Sequence, residues 1–233
     1  MLMALRTALF GIAFYGGSFW LLLLTLPALF LPVGAMKWVA RTWSAWHRFC
    51  VRRILGIRVV IDGAPRPAGP ALYATKHESF FEAIDAPTFL NGPVVPFAKM
   101  ELMHIPLWGR AAAHYGVIGV DRESGAKTLR AMARQARSAK SAGRDFILFP
   151  EGTRVPHGEA GKLQSGLYGI YKTTGLPLVP VAVDSGLTYG QSPKRPGTIR
   201  YLVGEAIPPG LPRAELEDRV LRAINALNPA SET

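Results

Sequence analysis

From Thr7 to Met36 the chain carries no charged side chain. A helix that crosses a bilayer needs about 20 apolar residues, so this run is long enough. Gly16-Gly17, Pro27 and Pro32 interrupt it, and Pro27 is expected to break or bend a helix begun near Arg6. Two arrangements fit: one span over about Thr7–Leu26, or a bent pair of helices lying partly in one leaflet. A cleaved leader fits less well, because its apolar core runs to only ~7–15 residues. Between Lys37 and Leu55 the pattern changes, with Trp38, Trp43 and Trp46 set among Arg41, Arg48, Arg52 and Arg53. Such a segment suits a helix at the lipid headgroups. It suits equally a helix whose Trp side chains pack on the body.

After Gly56 short β-rich runs recur: Ile57–Ile61, Ala71–Thr75, Val94–Ala98, Val117–Val120, Phe146–Phe149, Leu178–Val183 and Ile199–Val203. Helical stretches fall between them, clearest at Ser124–Ala142 and at Arg213–Leu227, where Leu216, Val220, Ile224 and Leu227 share a face. This alternation predicts one α/β domain with a mixed central β-sheet flanked by helices. The expected division is a membrane-anchoring segment with a basic Trp-rich helix over 1–56 and the α/β domain over 57–233.

Composition sharpens the picture. Lys and Arg number 27 against 16 Asp and Glu, a net charge of +11, and mean hydropathy is nonetheless positive at +0.17. A basic, apolar chain points to an anionic membrane surface. Residues 1–63 hold seven bases (Arg6, Lys37, Arg41, Arg48, Arg52, Arg53, Arg58) and one acid, Asp62. Six of the seven follow the apolar run, which places the body on the cytoplasmic side of the cytoplasmic membrane. The single Cys50 excludes an internal disulfide. Nucleic acid is not an expected partner, since no zinc finger, helix-turn-helix or aromatic RNA-binding signature is present. The stripe Lys127, Arg130, Arg134 and Arg137 reads as a solvated helix face, with an acidic carrier protein as its alternative contact.

His77 follows a predicted strand and precedes a helix, a position where α/β folds place functional groups. His-Glu opens like a zinc-protease helix, but Phe81 stands where the second histidine belongs. The other histidines (His47, His104, His114, His157) show no ligand spacing, so no metal is expected. Glu82, five residues on, is a candidate partner that would fix the imidazole tautomer for general-base work. Ser79-x-x-Glu82 is also a capping box, which would occupy Glu82 with the Ser79 N–H instead. Locally the two readings balance. Pro150-Glu151-Gly152-Thr153-Arg154 follows another strand and offers backbone and side-chain donors to phosphate. Asp121-Arg122 ends a third.

In these residues the chain resembles the glycerolipid acyltransferases of the lysophosphatidic acid acyltransferase type. Four blocks match in order over about Ala71–Val183: His77 to Glu82, Gly116–Arg122, Phe149-Pro150-Glu151-Gly152-Thr153-Arg154 and Val179-Pro180-Val181. The third is highly specific. The resemblance implies that His77 deprotonates an acceptor hydroxyl that attacks an acyl thioester, with Glu82 assisting. It implies that Arg122, Glu151, Gly152, Thr153 and Arg154 hold the acceptor phosphate. Lys99, in the family-like Lys99-Met100-Glu101-Leu102, is a further candidate substrate-binding residue. Acyl-CoA or acyl-carrier protein would be the donor and lysophosphatidic acid the acceptor; no cofactor is called for. A different lysolipid, such as a lyso-ornithine lipid, and a non-catalytic lipid-binding relative are the alternatives. Glu82 replaces the family's Asp, Lys76 stands where Asn is common, and Gly119 where Phe is usual.

Overall fold

The computed structural model describes residues 1–120 and 126–229. All seven predicted strands form: β1 (Ile57–Gly63), β2 (Leu72–Thr75), β3 (Val95–Lys99), β4 (Ile118–Val120), β5 (Phe146–Leu148), β6 (Leu178–Val183) and β7 (Gly197–Val203). They make one sheet in the order β1-β7-β6-β2-β5-β3-β4. Every pairing is parallel except β6 with β7, so the sheet is mixed as the sequence predicts. β2, β5 and β6 are buried along their whole length. Central parallel strands are covered on both faces, which is why their sequences are unbroken apolar runs. Pro180 sits in central β6 at no cost in ladder bonds. It falls in the gap between the Leu178–Ile207 bridge and the β7 ladder that begins at Val181–Val203.

Alternation along the strands divides the core in two. Tyr73, Ile147 and Val179 face α1 (Leu2–Ala28), α2 (Val33–Cys50) and α3 (Phe81–Phe89). Leu72, Ala74, Phe146, Leu148 and Leu178 face α6 (Ala126–Ser141), α7 (Gly166–Thr174) and α8 (Arg213–Ile224). In α8 the predicted stripe of Leu216, Val220 and Ile224 is buried. Two short helices, α4 (Met100–Met103) and α5 (Trp108–Tyr115), link β3 to edge strand β4.

The N-terminal segment forms a hairpin of two helices. Pro27 occupies the last turn of α1, and the helix ends one residue later, as expected of a helix-breaking proline. The first half of α1 is docked: Phe10 and Phe14 are buried in the core, and the Thr7 hydroxyl accepts the Lys194 N–H at 3.0 Å. Gly17 permits the closest approach, since a Cβ there would overlap the Trp46 ring. Trp43 Nε1 donates to Ser18 Oγ at 2.9 Å and Trp46 Nε1 to the Ala13 carbonyl at 3.3 Å. These two tryptophans pack between the helices, while Trp38 is exposed. Arg48 forks onto Asp85 of α3, with Nε to Oδ1 at 2.6 Å, and Tyr201 donates to the same carboxylate at 3.1 Å. That half-buried pair ties the hairpin to the helix behind His77.

Candidate active site

β2 ends between β5 and β6, so the residue after it lies among the C-terminal ends of three parallel strands. Lys76 continues the ladder by donating its N–H to the Val181 carbonyl at 2.9 Å, and His77 then turns out of the sheet. The imidazole stacks on Phe149, the last residue before the Pro150 turn, with ring centroids 4.2 Å apart. His77 Nδ1 lies 3.2 Å from Glu82 Oε2. The same oxygen accepts the Ser79 N–H at 3.1 Å, so the dyad and the capping box exist together. Two acceptor lone pairs on one oxygen permit both. With Nδ1–H directed at the carboxylate, Nε2 is the nitrogen that presents a lone pair outward.

Glu82 is buried, and its second oxygen is also engaged. Oε1 accepts the Ser185 hydroxyl in a short contact and the Ser79 hydroxyl at 3.4 Å, while the two serine oxygens lie 2.7 Å apart. Ser185 opens a one-turn helix, Ser185–Leu187, just beyond β6. A second carboxylate grips this turn: Glu78 Oε2 accepts the Gly186 N–H at 2.8 Å, and Oε1 pairs with His157 Nδ1 at 2.9 Å. Burial raises the Glu78 pKa above the ordinary carboxylate value, against the lowering pull of the Gly186 N–H and of His157. Sequence reading misses Ser185 and the Glu78–His157 pair. Ser79 and Ser185 are 106 positions apart, and no local spacing signals their contact.

The Pro150–Arg154 turn lies alongside. Gly152 has φ +66°, the left-handed conformation that glycine adopts without strain. The Val155 N–H donates to the His77 carbonyl at 2.8 Å and fastens the two loops together. Thr153 and Arg154 are exposed, with the Arg154 guanidinium 4.1 Å above the exposed Phe80 ring. Glu151 requires a correction. It is buried, its Oε1 accepts from Lys76 Nζ at 2.8 Å and from the Gly161 N–H at 3.2 Å, and its Oε2 accepts the His77 N–H at 3.3 Å. An occupied, buried anion is no phosphate ligand; Glu151 holds the backbone of His77. Lys76, fully buried, completes its donors on the Glu159 carbonyl at 2.7 Å and Asn225 Oδ1 at 2.8 Å.

Lys99 is exposed at the end of β3, on the same sheet edge, in register with Val120. Arg122 lies outside the described residues. At Gly119 a Cβ would press on the side chains of Met100 and Met103. Among the described residues no cluster of three His, Cys, Asp or Glu side chains has the arrangement of a metal site.

The family profile described as Acyltransferase matches residues 57–184. A relative from Pseudomonas aeruginosa, named 1-acyl-sn-glycerol-3-phosphate acyltransferase, is 31% identical over 98% of this chain and 88% of its own length. The human 1-acyl-sn-glycerol-3-phosphate acyltransferase alpha is 29% identical over 76% of this chain and 62% of its own. The crystal structure of the 1-acyl-sn-glycerophosphate acyltransferase PlsC from Thermotoga maritima superposes with a TM-score of 0.62 and 24% identity, covering 97% of this chain and 92% of that one. That likeness establishes the fold. By the profile match and the full-length relative, the chain belongs to the acyltransferase family.

Proposed function

We propose that this chain transfers an acyl group from a thioester to the free hydroxyl of a 1-acylglycerol 3-phosphate, giving phosphatidic acid. The observation that carries the reading is the His77 Nδ1–Glu82 contact beside the exposed Arg154. The names of the relatives supply the acceptor class. His77 Nε2 takes the proton of the acceptor hydroxyl as its oxygen attacks the thioester carbonyl. The tetrahedral intermediate collapses, the C–S bond breaks, and the imidazolium returns the proton to the departing thiolate. Glu82 holds the tautomer and stabilises the cation. Proton transfer of this kind contributes about 10²–10⁴ in rate. Arg154 and Thr153 hold the acceptor phosphate together with Arg122, Gly152 shapes their turn with its N–H bonded to the Phe149 carbonyl at 3.0 Å, and Lys99 serves on the same edge. CoA and acyl-carrier protein both present the required thioester.

The hairpin brings this site to the lipid. Ile12, Tyr15, Phe19, Trp20 and Phe30 are exposed, and α1 is long and apolar enough to cross a membrane. Because Phe10 and Phe14 are docked on the body and Ala28 is buried against Tyr115, only Tyr15–Pro27 stands clear, short of the ~20 residues of a span. This supports insertion into one leaflet, with the body on the cytoplasmic side as the basic residues suggest. The test is thiol release from acyl-CoA by the purified full-length protein. Release dependent on lysophosphatidic acid is expected; release driven equally by an uncharged lysolipid would remove the phosphate acceptor from the reading.

A further inference from the structure

A cavity of about 770 Å³ opens between the hairpin tip, α5 and α6, lined in part by Val33, Lys37, Met100, His114, Tyr115 and Arg144. It lies against β4, three strands from β2. At about 4.8 Å per strand, that sets it roughly 14 Å from the His77 strand. Among the described residues its polar wall carries two cations, Lys37 and Arg144. Arg144 is only 8% exposed, and two of its nitrogens serve backbone carbonyls, Nη2 at Val94 (2.7 Å) and Nε at Pro93 (3.3 Å). Neither Arg144 nor Lys37 has a carboxylate within ion-pair distance among the described residues. Burial and then the Arg144 charge lower the Lys37 pKa, so the two cations feel each other.

The Arg144 guanidinium lies 5.1 Å from the centre of the Tyr115 ring. Tyr115 is 8% exposed, and its buried hydroxyl lies beside the Arg144 guanidinium without a hydrogen bond of good geometry. Arg144 is a buried cation, which is ordinarily paired, Lys37 is half-buried at the cavity wall, and a buried hydroxyl such as that of Tyr115 is ordinarily bonded. One ligand type answers all three groups: an anion rich in acceptor oxygens. The start of α2 at Val33 adds the positive end of a helix dipole. The cavity also adjoins the hairpin tip, where His114 Nε2 donates to the Leu31 carbonyl at 3.1 Å and Phe30 and Leu31 are exposed.

We propose that this cavity is a second anion site, outside the reaction site, which takes the phosphate of an anionic phospholipid between Lys37, Arg144 and the Tyr115 hydroxyl. Filling it would fasten the hairpin tip to β4 on an anionic membrane. A free phosphate ion presents the same oxygens, so the test separates the two sources.

The full-length protein in neutral detergent is titrated calorimetrically with dihexanoyl phosphatidylglycerol, dihexanoyl phosphatidylcholine and inorganic phosphate. Phosphatidylglycerol is expected to bind and phosphatidylcholine not. Lys37→Gln should weaken phosphatidylglycerol at least 10-fold. Tyr115→Phe, which removes only the hydroxyl beside Arg144, should weaken it severalfold and keep the melting temperature within a few degrees. Both substitutions leave the Arg144 bonds to Pro93 and Val94 in place, so neither depends on a refolded loop. Arg154→Ala should leave this binding intact. Inorganic phosphate that competes at millimolar concentration makes the free ion an occupant as well; failure to compete assigns the site to the lipid. Equal binding of the two lipids, wild-type binding by both Lys37→Gln and Tyr115→Phe, or loss of binding in Arg154→Ala would each overturn the proposal.

Discussion

His77 Nδ1 and Glu82 Oε2 lie 3.2 Å apart, and the carboxylate oxygen that meets the imidazole also caps the helix it belongs to. Glu82 therefore spans two roles that its sequence context offers as rivals. Substitution by Gln separates charge from capping. The amide oxygen can still accept from Ser79 and His77, and the amide nitrogen can donate to the hydroxyls of Ser79 and Ser185. Glu82→Gln is expected to keep its melting temperature within a few degrees and to lose about 100-fold in kcat. Turnover within threefold of wild type would mean that the carboxylate charge takes no part in the reaction.

Ser185 is a positioning residue for that carboxylate. Its hydroxyl reaches Oε1, and the Glu78–Gly186 bond holds its turn in place. Ser185→Ala leaves one buried oxygen with a single long contact from Ser79. The loss of a hydrogen bond to a charged group costs about 1.5–3 kcal/mol. We expect kcat to fall while both KM values hold, and Ser185→Thr to restore it by returning the hydroxyl. A purely structural serine would show a lower melting temperature with unchanged kcat.

What the sequence makes legible here follows from how each feature is encoded. β2, β5 and β6 stand out because strands buried on both faces are unbroken apolar runs. His77 and Glu82 stand out because one turn of chain brings them together. The Lys76–Glu151 pair and the Ser185 contact join positions 75 and 103 residues apart, and only the parallel pairing of β2 with β5 and β6 makes them neighbours. Glu151 looks like a ligand in sequence because it shares a turn with Arg154. Nothing in that turn reveals that its side chain points inward to Lys76. The docking of α1 is hidden for a similar reason: Phe10 and Phe14 are two apolar residues in an apolar run, and only the partners, His47 and Tyr189, mark them as core.

The contrast between Glu151 and Arg154 is measurable. Breaking one side of a buried ion pair costs about 3–5 kcal/mol. For a chain of this size that corresponds to a melting decrease of about 6–20 °C. Glu151→Gln should show it, together with reduced kcat, because the His77 N–H and Lys76 both lose a charged acceptor. Arg154→Ala should leave the melting temperature unchanged and raise the acceptor KM about 10-fold or more, with the donor KM unaffected. The opposite pattern, a stable Glu151→Gln with a raised acceptor KM, would restore Glu151 to the phosphate site.

His47 gives the fold a dependence on pH that is centred on the hairpin. The ring is fully buried, 4.9 Å from the Phe14 ring and 5.5 Å from Phe81, with Nε2 3.0 Å from the Tyr189 hydroxyl. Burial, helped by the charges of Arg48 and Lys194, lowers its pKa from 6.5 to about 3. In the unfolded chain the imidazole takes up a proton below its ordinary value near 6.5, whereas the native ring stays neutral down to about 3. The unfolded state thus binds more protons across this window, and stability falls as pH falls. The slope is about 1.4 kcal/mol per pH unit, or about 2 kcal/mol between pH 6.5 and 5. That amounts to a melting decrease of about 4–8 °C. His47→Gln can still bond the Tyr189 hydroxyl but does not titrate, so the difference between wild-type and variant melting curves isolates this group. Because the ring touches Phe10 and Phe14, acidification should also release the first half of α1, read as earlier proteolysis near Arg6 in the wild type alone. Parallel pH profiles for the two proteins from 7 to 5 would show that the buried imidazole does not carry the effect.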